Sequence, residues 1–165
     1  MTYTYLLAGE NLGLAEAELE GFLHSQNIDE KPRRKGRIAE TEAHPNQLKR
    51  LGLTHEIAEK ITETNPDSIK INYRPETSFA VRVENLEEDK TRVKELERRI
   101  GQELKTENNS VDLDNPDETI KAYYTEGKIT VSRIIQEIDR GLYQQRANQE
   151  RPFSSPISLD PVLAR

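Results

Sequence analysis

The sequence predicts an α/β protein made of two small units. Apolar patterns typical of strands and of helices alternate along the chain. A turn-rich segment from Asn65-Pro66 to Arg74-Pro75 interrupts them near the middle. The chain has 165 residues, 33% of them apolar and 33% charged, which favours modest cores over one large core. We therefore expect a unit over residues 1–65, a unit over 66–140 and a boundary near residues 65 to 77.

The first unit is predicted to have the order β-α-β-α-β. A strand over Tyr3 to Ala8 precedes a helix with apolar residues on one face, for which Asn11 is the expected N-cap. A second strand is expected over Gly36 to Thr41, and a short helix over Asn46 to Leu51. Periodicity leaves Glu56 to Thr62 open as a strand or a helix. This order suits a small open sheet with helices on one face.

The second unit repeats the alternation. The segment SFAVRVEN is predicted to be a strand, and the helix after it has an apolar stripe at Val93, Leu96, Ile100 and Leu104. VDLDNPD is expected to form a short strand that ends at Asn115-Pro116. ETIKAYYT and KITVSRII predict a hairpin around Glu126-Gly127. Residues 141–165 lack sustained apolar periodicity, so we expect an extended linker there.

The sequence lacks the motifs of most enzyme classes. His24, His44 and His55 have no second ligand at metal spacing, and no glycine-rich phosphate loop or Gly-x-Ser-x-Gly motif occurs. The sequence has no cysteine, no apolar run of membrane-spanning length and no signal peptide, which predicts a cytoplasmic protein. The net charge of −6 disfavours general nucleic-acid binding, although the sum hides basic clusters.

Two basic clusters are candidates for phosphate binding. The segment KPRRKGR is expected to be a turn between the first helix and the second strand, and it places Arg33, Arg34 and Lys35 close together with no acid among its seven residues. On the predicted helix of the second unit, steps of about 100° align four cations along one stripe. They are Lys90, Lys94, Arg98 and Lys105. Charge on an outer helix face is also what simple solvation produces, so the stripe alone leaves both interpretations open.

Three segments resemble a known family. They are FAVRV, the stretch from Val111 to Ile135, and the final RPFSSPISLDPVLAR. Together they resemble the archaeal-type THUMP-containing tRNA guanosine N2-methyltransferases, which act on guanosine ten. In that family a ferredoxin-like domain and a THUMP domain come before a linker and a Rossmann-like methyltransferase domain. The resemblance implies that residues 1–65 are the ferredoxin-like domain, 66–140 the THUMP domain and 141–165 the linker to a methyltransferase domain absent from this chain.

The resemblance also implies a function. The chain would bind the acceptor stem and the 3′ end of tRNA, while S-adenosylmethionine and the catalytic residues would belong to the methyltransferase domain. This chain lacks the glycine motif and the Pro-Pro motif of that domain, so it is expected to bind no cofactor and no metal. Further RNA-binding candidates in the THUMP match are Arg82, Arg133 and one of Tyr123 and Tyr124, which strand alternation places on opposite faces.

Two other functions remain open at this stage. The chain could be a complete tRNA-binding adaptor for a separate catalytic subunit, an alternative that the missing catalytic motifs favour and the final linker-like segment opposes. It could also be a protein-interaction module that uses its acidic surface. The reading frame after Arg165 would distinguish the first of these from the methyltransferase.

Overall fold

The computed structural model of the chain describes residues 1–43, 50–87 and 93–140. These residues contain eight strands and two helices, so the α/β class is confirmed. The elements are β1 (Tyr3–Leu7), α1 (Leu12–Ser25), β2 (Arg33–Lys35), β3 (Ile38–Thr41), β4 (Thr54–Thr64), β5 (Ser78–Asn85), α2 (Val93–Leu104), β6 (Ser110–Val111), β7 (Glu118–Thr125) and β8 (Lys128–Glu137). Neither of these helices has the length and apolar character needed to cross a membrane.

The division into units lies elsewhere than the sequence indicated. The strands follow one hydrogen-bonded order, β2-β3-β1-β4-β8-β7-β5-β6. One compact unit consists of residues 1–57 with the described residues from Ile135 onward, and the other is Ala58–Ile134. The division therefore falls within β4 and β8, which corrects the expected boundary near residues 65 to 77. Asn65-Pro66 does form a turn, in which the Ser68 N–H donates to the Asn65 carbonyl (3.1 Å), but it only ends β4 within the second unit.

The first unit is built around α1 and β1. As expected, the Asn11 side chain caps α1 by accepting the Leu14 N–H (3.0 Å). Glu18, only 4% exposed, accepts the N–H groups of Gly52 (2.7 Å) and Leu53 (2.8 Å), which fixes the approach to β4. Core residues come from both ends of the described chain, since the following side chains pack together: Tyr5, Leu7, Leu19, Leu23, Ile57 and Ile138.

The second unit packs α2 against its strands. β5 is parallel to β7, and β7 is antiparallel to β8. The expected apolar stripe of α2 is buried at Leu96, Ile100 and Leu104. The expected hairpin joins β7 to β8, and its turn residues Glu126 and Gly127 both have positive φ, 51° and 71°, as a type I′ turn requires.

Other local predictions of secondary structure are only partly matched by the observed elements. Glu56 to Thr62, open in the sequence, is part of strand β4. The basic segment was expected to be a turn, but Arg33–Lys35 forms strand β2 paired with β3. The short strand expected in VDLDNPD is confined to Ser110–Val111, because Asp112 begins a turn described below. The helix expected over 46–51 lies mainly outside the described residues, and the linker over 141–165 lies wholly outside them.

Candidate nucleic-acid interface

A groove in the second unit brings together cations from two elements. It has a volume of about 500 Å³, within the range of roughly 300–1,000 Å³ typical of ligand sites. One wall is the outer face of α2, where the spacing of three to four residues places side chains one above another. The other wall consists of β5, β6 and the residue Leu113. Its lining includes four cations, namely Arg82, Lys94, Arg98 and Lys105.

The helix supplies the cations that remain available. Lys94 and Arg98 are exposed, and neither has an ion pair or side-chain hydrogen bond within residues 1–43, 50–87 and 93–140. Lys105 instead donates to the backbone carbonyl of Asn109. Glu97, the one carboxylate of the lining, accepts the Val83 N–H (3.1 Å) and thereby fastens the helix to β5. The groove therefore presents uncompensated positive charge, which suits a phosphate.

Arg82 lies in the same groove with its guanidinium already engaged. Its Nη2 donates to the carbonyl of Leu113 (2.7 Å), and its Nη1 donates more weakly to the carbonyl of Val81 (3.4 Å). The side chain is exposed, so it combines a structural contact with access to solvent. Two predicted cations of α2 and the predicted Arg82 are thus gathered in one groove.

The groove also contains apolar surface that the sequence analysis did not identify. Val111 is 52% exposed and Leu113 is 59% exposed, and both line the groove. Beneath them Phe79 and Val81 belong to the core and are nearly covered. The available signal was the presence of two apolar residues in the acidic, turn-rich segment VDLDNPD, a pattern that we interpreted as a short strand.

Arg133 does not line this groove. Its Nη2 lies 2.5 Å from Glu59 Oε2, and this hydrogen bond raises the pKa of the Arg133 guanidinium. In the same cluster the Tyr73 hydroxyl donates to Glu118 (2.5 Å). Burial and the bond to Glu118 raise the pKa of Tyr73 to about 12. Because a carboxylate already neutralises Arg133, its charge is less available to RNA than the sequence suggested.

Two of the three cations of β2 are also paired with acids. Arg33 pairs with Glu42 (3.3 Å), and Arg34 pairs with Glu16 of α1 (2.8 Å). Lys35 is engaged as well. No acid occurs within KPRRKGR, but folding brings acids from other elements beside it. The adjacent cavity next to α1 has a volume of about 420 Å³ and adds further carboxylates, Glu20, Asp29 and Glu30.

Of the remaining candidate residues, the two tyrosines pack inside the protein and the others lie outside the described residues. Tyr123 is fully buried, and Tyr124 is half-buried and packs against the core of the second unit. Both tyrosines therefore act as packing side chains. Lys90 lies outside the described residues, as does His44. In the described ranges, no cluster of three or more metal-ligating side chains occurs.

Comparison with known proteins finds a family whose model matches the second unit. Residues 54–133 match the THUMP domain. This range includes every residue that lines the groove, among them Arg82, Lys94 and Arg98, and it excludes the cations of β2. The match begins at β4 and ends in β8, close to the limits of the second compact unit.

Relatives extend the similarity to the whole chain. The chain is 31% identical to the tRNA (guanine(10)-N2)-dimethyltransferase of Methanothermobacter thermautotrophicus, covering 100% of this chain and 53% of that protein. It is 29% identical to the enzyme of the same name from Pyrococcus abyssi, covering 92% of this chain and 48% of that protein. The chain thus spans about half the length of the curated relatives that it matches.

Solved structures share the fold. TrmN from Thermus thermophilus has a TM-score of 0.61 at 15% identity, covering 92% of this chain and 50% of that chain. PH1313 from Pyrococcus horikoshii has a TM-score of 0.57 at 15% identity, covering 84% of this chain and 54% of that chain. At this identity the likeness concerns architecture, and it agrees with the α/β fold predicted from the sequence.

Proposed function

Because residues 54–133 are a THUMP domain, in a chain homologous to archaeal tRNA (guanine(10)-N2)-dimethyltransferases, we propose that this chain is the tRNA-binding part of a tRNA guanosine N2-methyltransferase. It holds the acceptor stem and its single-stranded 3′ end, so that a C-terminal catalytic domain can reach a guanosine at a fixed distance. A cytoplasmic location, where tRNA is modified, is part of the proposal.

The observation that carries the proposal is the groove. Lys94 and Arg98 stand one helical turn apart on α2, exposed and without acidic partners in the described chain. Consecutive phosphates of RNA need cations that are accessible, and each neutralised phosphate releases condensed counterions. The paired cations of β2 and Arg133 would have to exchange a carboxylate for a phosphate, which lowers their net contribution. We therefore assign the main phosphate contacts to α2.

The cofactor does not fit this groove. S-adenosylmethionine carries a positive sulfonium, whereas the groove is lined by four cations and a single carboxylate that already accepts the Val83 N–H. We therefore assign cofactor binding and methyl transfer to the catalytic domain. Isothermal titration calorimetry of the chain with S-adenosylmethionine should show no specific binding, and micromolar affinity would overturn the assignment.

The test is tRNA affinity measured against salt concentration. Lys94→Ala and Arg98→Ala should each weaken binding alike across tRNA sequences and reduce the slope of log K against log salt by about 0.7 to 1. Lys70→Ala is the matched control, because Lys70 is an exposed lysine of the same unit that does not line the groove. Slopes unchanged from the parent in both α2 variants would exclude this groove as the phosphate site.

A second variant tests the groove by volume instead of charge. Gly101 lines the groove on α2, and a Cβ added there meets nothing closer than the Val81 Cγ2 at 4.0 Å. Gly101→Leu should therefore fill the groove and weaken tRNA binding, while Gly101→Ala adds helix propensity with little filling. Equal tRNA affinity of the two variants would contradict the proposal.

The adaptor alternative predicts the same tRNA binding, but it differs in what the reading frame encodes after Arg165. If the reading frame continues past Arg165 into a glycine-rich methyltransferase motif, the adaptor is excluded. If it stops there, the chain acts with a separate catalytic subunit.

A further inference from the structure

The turn after β6 exposes apolar side chains beside the cations of the groove. Exposed large apolar residues are few in the described chain, and they are Met1, Val111, Leu113 and Ile135. Two of these four line the groove. Apolar surface beside positive charge is unfavourable in water unless a ligand covers it, and it matches a ligand that is both flat and anionic.

Three hydrogen bonds donated by backbone N–H groups give this turn a fixed shape. The Asp112 side chain accepts the N–H groups of Asp114 (3.0 Å) and Asn115 (3.0 Å), which also lowers the pKa of the Asp112 carboxyl. The Asp112 N–H donates to the Phe79 carbonyl (3.0 Å), which fastens the turn to β5. The turn therefore presents Leu113 from a rigid support.

Arg82 also holds this turn in place. Its Nη2 donates to the Leu113 carbonyl (2.7 Å), directly behind the exposed side chain. The Arg82 guanidinium therefore uses part of its hydrogen-bonding capacity on the protein, whereas Lys94 and Arg98 have no such partner in the described chain. Arg82 thus differs in role from Lys94 and Arg98.

We infer that residues 111–115 form a second RNA contact of the groove, in which Leu113 packs on an unstacked nucleobase and Arg82 positions Leu113. The inference rests on the proposed function and deepens it. The phosphates lie along Lys94 and Arg98, and the base beside them covers the apolar ledge of Val111 and Leu113. A duplex keeps its bases stacked, so only an unpaired nucleotide can make this contact. The ledge therefore selects unpaired nucleotides.

The experiment compares two probes at several salt concentrations. One is a tRNA transcript with its unpaired 3′ nucleotides, and the other is the same transcript trimmed to a blunt acceptor stem. Leu113→Ala should weaken binding of the intact transcript roughly fivefold, because it removes carbons that the base covers. It should leave the trimmed transcript and the salt slope unchanged.

Arg82 variants separate positioning from phosphate contact. Arg82→Met should weaken the intact transcript as Leu113→Ala does, with an unchanged salt slope, and the double variant should bind no more weakly than Leu113→Ala alone. Arg82→Lys should restore part of the loss, because an ammonium can still donate to the Leu113 carbonyl. Circular dichroism of each variant checks the fold, and Arg82→Lys keeps the test valid if Arg82→Met unfolds.

Three kinds of result would contradict these proposals. A salt slope reduced by about 0.7 in Arg82→Met would make Arg82 a phosphate contact and overturn its positioning role. Equal effects of Leu113→Ala on both transcripts, or none on either, would overturn the base contact. Failure of the proposed function looks different, because then the parent chain would not bind tRNA or the α2 variants would keep the parent slope.

Discussion

The buried amide of Asn109 is expected to be a major stabilising side chain of the second unit. Asn109 is 5% exposed. Its Nδ2 donates to the carbonyls of Pro75 (3.1 Å) and Leu104 (3.0 Å), and its Oδ1 accepts the Thr106 N–H (2.9 Å). The side chain thus hydrogen-bonds backbone groups at the end of α2 and connects them to the segment before β5.

Asn109→Ala removes three hydrogen bonds in one step. A buried hydrogen bond contributes about 1 kcal/mol net, so the expected loss in the free energy of unfolding is about 3 kcal/mol. With a urea m-value of about 2 kcal/mol/M, the unfolding midpoint should fall by roughly 1.5 M. The expected loss is a large part of a total stability of about 5–15 kcal/mol.

Urea unfolding followed by circular dichroism measures the change, and amide hydrogen exchange locates it in residues 58–134. Asn108→Ala is the matched control, because Asn108 is exposed and its backbone N–H, which the substitution keeps, is the group that donates to the Thr106 hydroxyl. The control should change stability by less than about 0.5 kcal/mol. An Asn109→Ala variant as stable as the control would refute the assignment of these hydrogen bonds.

Three further predictions concern other parts of the chain. Glu18→Gln should reduce stability by about 1.5–3 kcal/mol, because an amide replaces a carboxylate that accepts two buried N–H groups; urea unfolding measures this. Tyr5 and Tyr73, whose pKa values burial raises to about 12, should ionise late in an ultraviolet titration, and Tyr73→Phe should remove one late group. Because the folded state keeps these protons longer than the unfolded state, stability should be full below about pH 10 and decline toward pH 12. Arg34→Ala should leave the salt slope of tRNA binding at the parent value, since Glu16 already compensates that charge; a reduced slope would show phosphate contact by β2.

The parts of the fold that the sequence predicted are those governed by local spacing. The stripe of α2 and the cap of α1 depend on residues within a few positions of one another, and both occur as expected. The hairpin turn likewise follows from Glu126-Gly127. The boundary between the units was not predictable in this way, because β8 returns to the first unit over residues that resemble an ordinary strand end.

The candidate site shows the same limit. Lys94 and Arg98 were identified because they share one helix, and their spacing determines their common face. The neutralisation of Arg34 by Glu16 and of Arg133 by Glu59 depends on pairs far apart in the chain. The exposure of Leu113 depends on the Asp112 turn, which periodicity does not reveal. Charge compensation and exposure are properties of the fold, so composition and spacing alone cannot give them.

The path of the chain through β4 and β8 bears on how the protein is made. Ile138 contributes to the core of the first unit, and Arg140 donates to the Gly52 carbonyl (3.1 Å) and to Glu10 (3.1 Å). The second unit occupies the intervening stretch, residues 58–134. On a ribosome the first 57 residues emerge early, yet they cannot complete their own core until the last strand has been synthesised. The second unit, although later in the sequence, is contiguous and so is the first that can finish folding during translation.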